Sequence, residues 1–123
     1  AWAFDRFSFG RPLASYQAIK HRFADLKAWL EASHAIADAA AAAVDAGSDE
    51  AAELASIAKA WVGDQGAEVL QDCVQLHGGI GVTFEHDLHF FLRRVTVDRA
   101  LYGTPAEHRL RVAGLLERRV EAA

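Results

Sequence analysis

Three features of this sequence bring together groups that could do chemistry. The first is Gly78-Gly79-Ile80-Gly81, three glycines in four positions. Bare backbone N–H groups at such a turn can cradle an anion. A dinucleotide-binding loop of the βαβ kind needs a strand before its glycines and a helix opening after them. A helical pattern precedes the glycines here, so that version is excluded. Two readings stay open: a helix stop with tight backbone approach, or an external group lying against the turn. A second feature is the pair His86 and His89, with His77, Glu85 and Asp87 close by. Two ligands three residues apart can share an ion, but structural zinc takes four ligands and catalytic zinc three. No metal site is therefore assigned, and these groups are expected to satisfy backbone amides and charges around the turn. The third feature is Arg93-Arg94 with Arg99, whose forks suit oxyanions. On a helix they equally pair with Asp98, Glu107 or carboxylates elsewhere. Ser8, Ser15, Ser33, Ser48 and Ser56 have no local activating partner. His21, His34 and His108 are scattered over helix surfaces, and Cys73 sits among apolar neighbours as packing.

The elements that must position these groups are helical. From about Ala14 to Ala46 the apolar residues Ile19, Phe23, Leu26, Leu30, Ile36, Ala40 and Val44 recur in steps close to the helical period. The alanine run from Ala39 to Ala43 favours helix and close packing. Gly47 is the expected C-terminal stop, with Ser48 or Asp49 capping the next helix. That second helix runs from about Glu50 to His77 through Leu54, Ile57, Trp61, Leu70, Cys73 and Leu76. Trp29 and Trp61 are expected at interhelix contacts. After the glycines and a short connector, Val82-Thr83-Phe84, a third helix is predicted over 87–101, stopped by Gly103. Thr104 caps a fourth over 105–120, whose Pro105 has no N–H to lose in a first turn. Pro12 is likewise placed where a helix could begin. Nothing alternates with period two over a useful length, so no sheet is expected. The fold class is all-α, an antiparallel up-down helical bundle filling residues 1–123 as one domain.

Composition bounds the partners. Thirteen basic against 17 acidic residues leave a net charge of −4, which gives no basic surface for nucleic acid. No apolar run reaches the roughly 18 residues of a membrane span, and no signal peptide is visible. One cysteine cannot form an internal disulfide, which fits a reducing compartment; a cytoplasmic location is expected. The chain has no methionine, and Ala1-Trp2-Ala3-Phe4-Asp5-Arg6 reads as the last turns of a helix begun upstream. A piece of a longer protein is the expectation, and a bundle short of its first helix is expected to self-associate.

Two stretches resemble the acyl-CoA dehydrogenase family. Asp5-Arg6-Phe7-Ser8-Phe9-Gly10-Arg11-Pro12-Leu13, followed by Tyr16-Gln17-Ala18-Ile19-Lys20-His21, is similar to that family's R-x-x-F-G-[RK] segment and its glutamine-bearing continuation. Gln75 through Leu88, with Leu92-Arg93-Arg94, resembles the Q-x-x-G-G-x-G-[FY]-[TS]-x-E hallmark and the arginine-bearing helix after it. The resemblance covers nearly the whole chain. It implies the C-terminal helical domain of an FAD enzyme that oxidises acyl-CoA to 2,3-enoyl-CoA, with the N-terminal helical and middle β-domains absent. It also implies an oligomer, homo- or hetero-, of the tetrameric kind, and an electron-transfer-flavoprotein-like acceptor.

Carried onto this sequence, the resemblance implies that Arg6, Ser8 and Phe9 meet the pyrophosphate and adenosine end of FAD. Gln17 adds a contact, and Gln75 with Gly78 and Gly79 lies along the adenosine-diphosphate part of a neighbouring subunit's FAD. Thr104, at a helix N-terminus, is placed to receive phosphate. Many members carry a catalytic glutamate directly before the Gly-Thr that opens the last helix. Tyr102 stands there in this chain, and a phenol is a poor base at neutral pH. No catalytic residue is assigned. A non-catalytic partner or oligomerisation subunit is the alternative reading that Tyr102 keeps open.

Overall fold

Residues 2–122 are described by a computed structural model. A single turn of helix, α1 (Trp2–Asp5), leads into two short strands, β1 (Phe7–Ser8) and β2 (Arg11–Pro12), and a 3-10 turn at Leu13–Ser15. Four helices follow: α2 (Gln17–Asp45), α3 (Ala51–His77), α4 (Leu88–Ala100) and α5 (Pro105–Glu121), with a 3-10 segment at Gly78–Val82 between α3 and α4. The all-α class holds, and the four predicted helices stand within a few residues of their expected bounds.

The strands correct the expectation of no sheet. Phe7 pairs with Pro12 and Ser8 with Arg11, and Leu13 N–H donates to Arg6 O at 2.8 Å. The turn residues Phe9 and Gly10 have φ of 49° and 80°, the signs of a type I′ hairpin turn. A ladder of two pairs is too short to leave a period-two signature, and Phe-Gly is not the usual Asn-Gly signal. Tyr16 closes the hairpin onto α2, donating its hydroxyl to Ser8 O at 2.7 Å, and the Arg11 guanidinium lies 3.8 Å from the Tyr16 ring centroid. Pro12 therefore precedes the 3-10 turn, and α2 starts five residues later at Gln17.

Between α2 and α3 the chain turns at Gly47, φ 61°. Ser48 N–H reaches back to Ala43 O at 2.9 Å and Gly47 N–H to Val44 O at 3.1 Å, the paired bonds that satisfy the last carbonyls of a helix. Ser48 Oγ accepts from Glu50 N–H at 3.2 Å. The result is a helical hairpin of α2 and α3, pinned further along by the Arg22–Asp72 ion pair.

α3 is the element on which α2, α4 and α5 all pack. Its small residues Ser56, Ala60 and Gly63 are buried, spaced to share one helix face. A β-carbon on Gly63 would lie 2.9 Å from Pro105 Cγ, and one on Gly66 would lie 3.3 Å from Val95 Cγ2. These positions let α4 and α5 sit against the α3 backbone. Lys59 adds a polar tie, donating Nζ to Asp98 O at 2.5 Å and Arg99 O at 3.2 Å. A cation there offsets the negative end of the α4 dipole. The apolar core is thin: Leu26, Ala40 and Ala60 are its buried members among the described residues. Much apolar surface stays open, including Phe4, Phe7, Phe84, Phe90, Phe91 and Val82. Among the described residues no helix is long and apolar enough to cross a membrane.

Candidate functional site

The site is built where the C-terminal end of α3 meets the hairpin. Gly78 ends α3 with φ 65° and ψ −144°, a conformation costly to any residue with a β-carbon. The chain then tightens through the 3-10 segment, and Gly81 folds back on α3. A β-carbon there would lie 2.6 Å from Val74 O and 2.9 Å from His77 Cβ. Close backbone approach, one of the two open readings of the glycines, is thus met at Gly81. Gly79 is different: its φ is not positive, and a β-carbon there would meet nothing within 4 Å. Nothing among the described residues requires glycine at that position.

Beside this bare backbone lies a cleft of about 390 Å³, whose walls include Arg6, Ser8, Gln75, Gly78 and Gly79, with Trp2 and His77 at one side. Five of the eight residues singled out from the sequence therefore share one cavity, although Arg6 and Gln75 are far apart in the chain. Arg6 is exposed and forms no ion pair among the described residues. Phe9 stands just outside, 97% exposed at the hairpin turn, beside a smaller cavity of about 270 Å³ that Ser8, Tyr16 and Ile19 also line. Gln17 opens α2 and its amide bonds His21 Nε2 at 3.2 Å.

Thr104 lies apart, at the start of α5. It forms a full capping box with Glu107. The Thr104 hydroxyl accepts from Glu107 N–H at 3.3 Å, and Glu107 Oε2 accepts from Thr104 N–H at 2.7 Å. The Thr104 N–H, and next its hydroxyl, which also donates to Glu107 Oε2 at 2.8 Å, hold the Glu107 carboxyl below the usual carboxylate range. The chain's own carboxylate thus sits on the donors that the resemblance offers to a phosphate. A neighbouring cleft of about 600 Å³ is lined by Thr104, Arg99, Arg109, Thr96 and Gln71.

The histidines act on the backbone, as expected. His86 Nδ1 accepts from Leu88 N–H at 3.3 Å at the start of α4, His89 Nδ1 bonds His86 O at 2.8 Å, and His77 Nδ1 bonds Cys73 O at 2.6 Å. Among the described residues no three metal-ligating side chains converge. The arginines of α4 pair with carboxylates or rings. Arg94 bonds Asp98 at 2.8 Å, Arg93 lies 5.5 Å from the Phe84 ring centroid, and Arg99 bonds Asp64 at 2.9 Å. The Cys73 thiol is pushed up, first by burial and then by the nearby Asp72 charge, which leaves it a poor nucleophile.

Several residues that position this end of the molecule carry no local signal in the sequence. Asp64 holds Arg109 at 2.6 Å as well as Arg99, so one carboxylate on α3 ties α4 to α5. Its carboxyl is lowered chiefly by the Arg109 hydrogen bond; burial opposes, and Arg99 adds to the lowering. Tyr102 is 95% exposed, with φ 59°. His108 Nε2 lies 3.0 Å from Tyr102 O; a carbonyl only accepts, so this nitrogen carries the proton. Gly103, at φ 105°, sits in a conformation that side-chain-bearing residues rarely adopt, and a β-carbon there would press on His108 Nε2 at 3.0 Å.

The helix order recurs in known proteins. A family model for the acyl-CoA dehydrogenase C-terminal domain matches residues 1–116. The acyl-CoA dehydrogenase IpdE2 of Mycolicibacterium smegmatis is 36% identical over 107 residues, covering 87% of this chain and 32% of its own. Among solved structures, the Tcur3481–Tcur3483 steroid acyl-CoA dehydrogenase superposes with a TM-score of 0.91 at 28% identity, over 98% of this chain and 33% of that one. Butyryl-CoA dehydrogenase of Megasphaera elsdenii gives 0.87 at 28% identity, over 94% and 30%. The chain belongs to the acyl-CoA dehydrogenase family and corresponds to its C-terminal domain. It spans about a third of the length of these relatives.

Proposed function

We propose that this chain serves as the C-terminal domain of an FAD-dependent acyl-CoA dehydrogenase, helping to hold FAD across a subunit interface. The observation that carries the proposal is the shared cleft of Arg6, Ser8, Gln75, Gly78 and Gly79. Its donor set fits a dinucleotide: an unpaired guanidinium for pyrophosphate charge, bare glycine backbone for close approach, and a carboxamide beside them. Gly79 supports the fit most directly, since the surface it leaves bare is needed by nothing inside the chain. Phe9 and Gln17 lie outside the cleft, and the proposal gives each a separate contact with the cofactor; Thr104, whose donors Glu107 already takes, is left to the α5 cap.

FAD, when bound, supplies the acceptor for the two electrons taken from the acyl-CoA. The residues of this chain bind and orient; none is assigned to the proton removed from the substrate. The Tyr102 backbone carbonyl is held by His108 while its side chain stands exposed, and no part in the chemistry is proposed for it. The exposed apolar face supports assembly into an oligomer, with a tetramer proposed, and the electrons are proposed to leave to an electron-transfer-flavoprotein-like acceptor. A cytoplasmic location goes with this reading.

The test is to prepare the full-length protein from its own source and record its mass, flavin content and turnover of an acyl-CoA panel with an artificial acceptor. An FAD-loaded oligomer that oxidises acyl-CoA is the expected result. A flavin-free protein overturns the cofactor assignment, and flavin without turnover leaves the domain in a non-catalytic subunit.

A further inference from the structure

We infer that Tyr16 is a positioning residue for the cleft: its hydroxyl, bonded to the Ser8 carbonyl, fixes the strand beside Arg6 at its distance from the glycine turn. The inference rests on the reading of the cleft given above and deepens it. It adds no contact with the ligand; Tyr16 acts through Arg6 and Ser8.

The two walls of the cleft differ in how they are held. One is the end of α3, with Gln75, Gly78 and Gly79, and α2, α4 and α5 all pack on that helix. The other is β1 with Arg6 just before it. A ladder of two residue pairs is marginal by itself in water. Apolar packing adds little, since Phe7 is 61% and Phe9 97% exposed. Arg6 N–H donates to Trp2 O at 2.9 Å and Leu13 N–H to Arg6 O at 2.8 Å, but both bonds stay within the same N-terminal segment. Among the described residues two side chains bond the hairpin. Ser15 Oγ donates to Pro12 O at 2.6 Å, three residues back on β2, and Tyr16 OH donates to Ser8 O at 2.7 Å, eight residues back on β1. The Tyr16 bond is the one that reaches the strand in the cleft wall.

Tyr16 can serve as an anchor because it is itself fixed. It stands where α2 begins: its N–H donates to Leu13 O at 3.1 Å and its carbonyl accepts Lys20 N–H at 3.0 Å. Its half-buried ring carries the Arg11 guanidinium 3.8 Å from the centroid, a cation–π contact. α2 in turn packs along α3 and is tied to it by the Arg22–Asp72 ion pair. A chain of contacts thus runs from the glycine turn through α3, α2 and Tyr16 to Ser8. A group spanning the cleft needs both walls at one spacing, and hydrogen bonds weaken beyond about 3.2 Å. An Arg6 that drifts with a loosened hairpin gives up part of its bond to the ligand.

FAD and ADP are titrated onto the full-length apoprotein as wild type, Tyr16→Phe, Ser15→Ala, Arg6→Ala and the double variant of Tyr16→Phe with Arg6→Ala. Phenylalanine keeps the ring under Arg11 and removes the hydroxyl alone. Ser15→Ala removes the neighbouring bond at the same junction. The expected result is that Tyr16→Phe weakens FAD and ADP alike by about 3- to 10-fold, while Ser15→Ala stays within about twofold of wild type. In the Arg6→Ala background Tyr16→Phe should cost less than about twofold, because a residue that acts through Arg6 is not additive with it. Wild-type affinity in Tyr16→Phe overturns the assignment. An equal loss with and without Arg6, or an equal loss in Ser15→Ala, shows general bracing of the fold and also overturns it. A wild-type protein that takes up neither FAD nor ADP overturns the reading of the cleft itself.

Discussion

Gly81 lies so close to Val74 that a methyl group on it would sit 2.6 Å from the Val74 carbonyl oxygen. That carbonyl belongs to the last turns of α3, so neither partner can give way without moving backbone. Gly79, two residues earlier, faces nothing. The two glycines of one motif thus answer to different constraints, and substitution separates them. Gly81→Ala is expected to destabilise the fold by about 2 kcal/mol, within the range of overpacking. Gly79→Ala is expected to leave the thermal midpoint unchanged while weakening FAD binding in the full-length protein. Equal effects of both substitutions on stability would falsify this division.

Among the described residues Arg6 has no carboxylate partner. Its side chain therefore contributes little to folding, and Arg6→Ala is expected to keep the wild-type thermal midpoint. Flavin retention should fall by roughly tenfold or more, as for loss of a charge-assisted hydrogen bond of about 1.5–3 kcal/mol. Gel filtration followed by flavin absorbance checks both halves. A variant that keeps its FAD through the column removes Arg6 from the cofactor site.

The Asp64 carboxyl is held below its ordinary value by Arg109 and, secondarily, Arg99. A depressed folded-state pKa contributes stability that is present above the unfolded value, about 3.9 for aspartate, and is lost as pH falls through the folded value. Asp64→Asn should therefore melt below wild type at pH 7. The gap should narrow below about pH 3.9. Paired melting curves from pH 7 down to pH 3 test the sign, and a gap that widens on acidification contradicts it.

Thr104 accepts the Glu107 N–H at the start of α5. Thr104→Ala is expected to cost about 1 kcal/mol, the usual loss for an N-cap hydroxyl. Thr104→Ser, which keeps the oxygen, should stay close to wild type. Chemical denaturation of the three proteins decides it, and a serine variant as weak as alanine would point to the methyl group instead of the cap.

Tyr102 is positioned by backbone geometry and offers no basic group. Tyr102→Phe is expected to change acyl-CoA turnover of the full-length enzyme by less than about threefold, since a phenol is a poor base at neutral pH. Loss of activity by a hundredfold or more would place the phenol in the chemistry.

What the sequence made legible was local. Helix periods, the Gly47 stop and the Thr104 cap each rest on residues within a few positions of one another. The five cleft residues were found through two motifs, and the fold then brought those motifs together. The Phe7–Pro12 hairpin escaped because two pairs leave no alternation, and its turn depends on a left-handed Phe9. Lys59 on the end of α4, Asp64 between two arginines, and His108 on Tyr102 O were invisible for another reason. Lys59 and Asp64 join stretches far apart in sequence that only the packed fold brings together, and the His108 contact depends on the left-handed backbone of Tyr102.

α3 has one further consequence. It spans 27 residues, about 40 Å of continuous helix, and carries fixed attachments along its length. Glu53 holds Arg119 near one end, Lys59 and Asp64 grip α4 and α5 in the middle, and the glycine cleft forms at the other end. A helix this well tethered transmits axial displacement as a rigid strut. A slip of one residue at the cleft, about 1.5 Å, would carry Lys59 off the α4 carbonyls. Any group seated against Gly79 would therefore bear, through one helix, on the contacts that Lys59 and Asp64 make with α4 and α5.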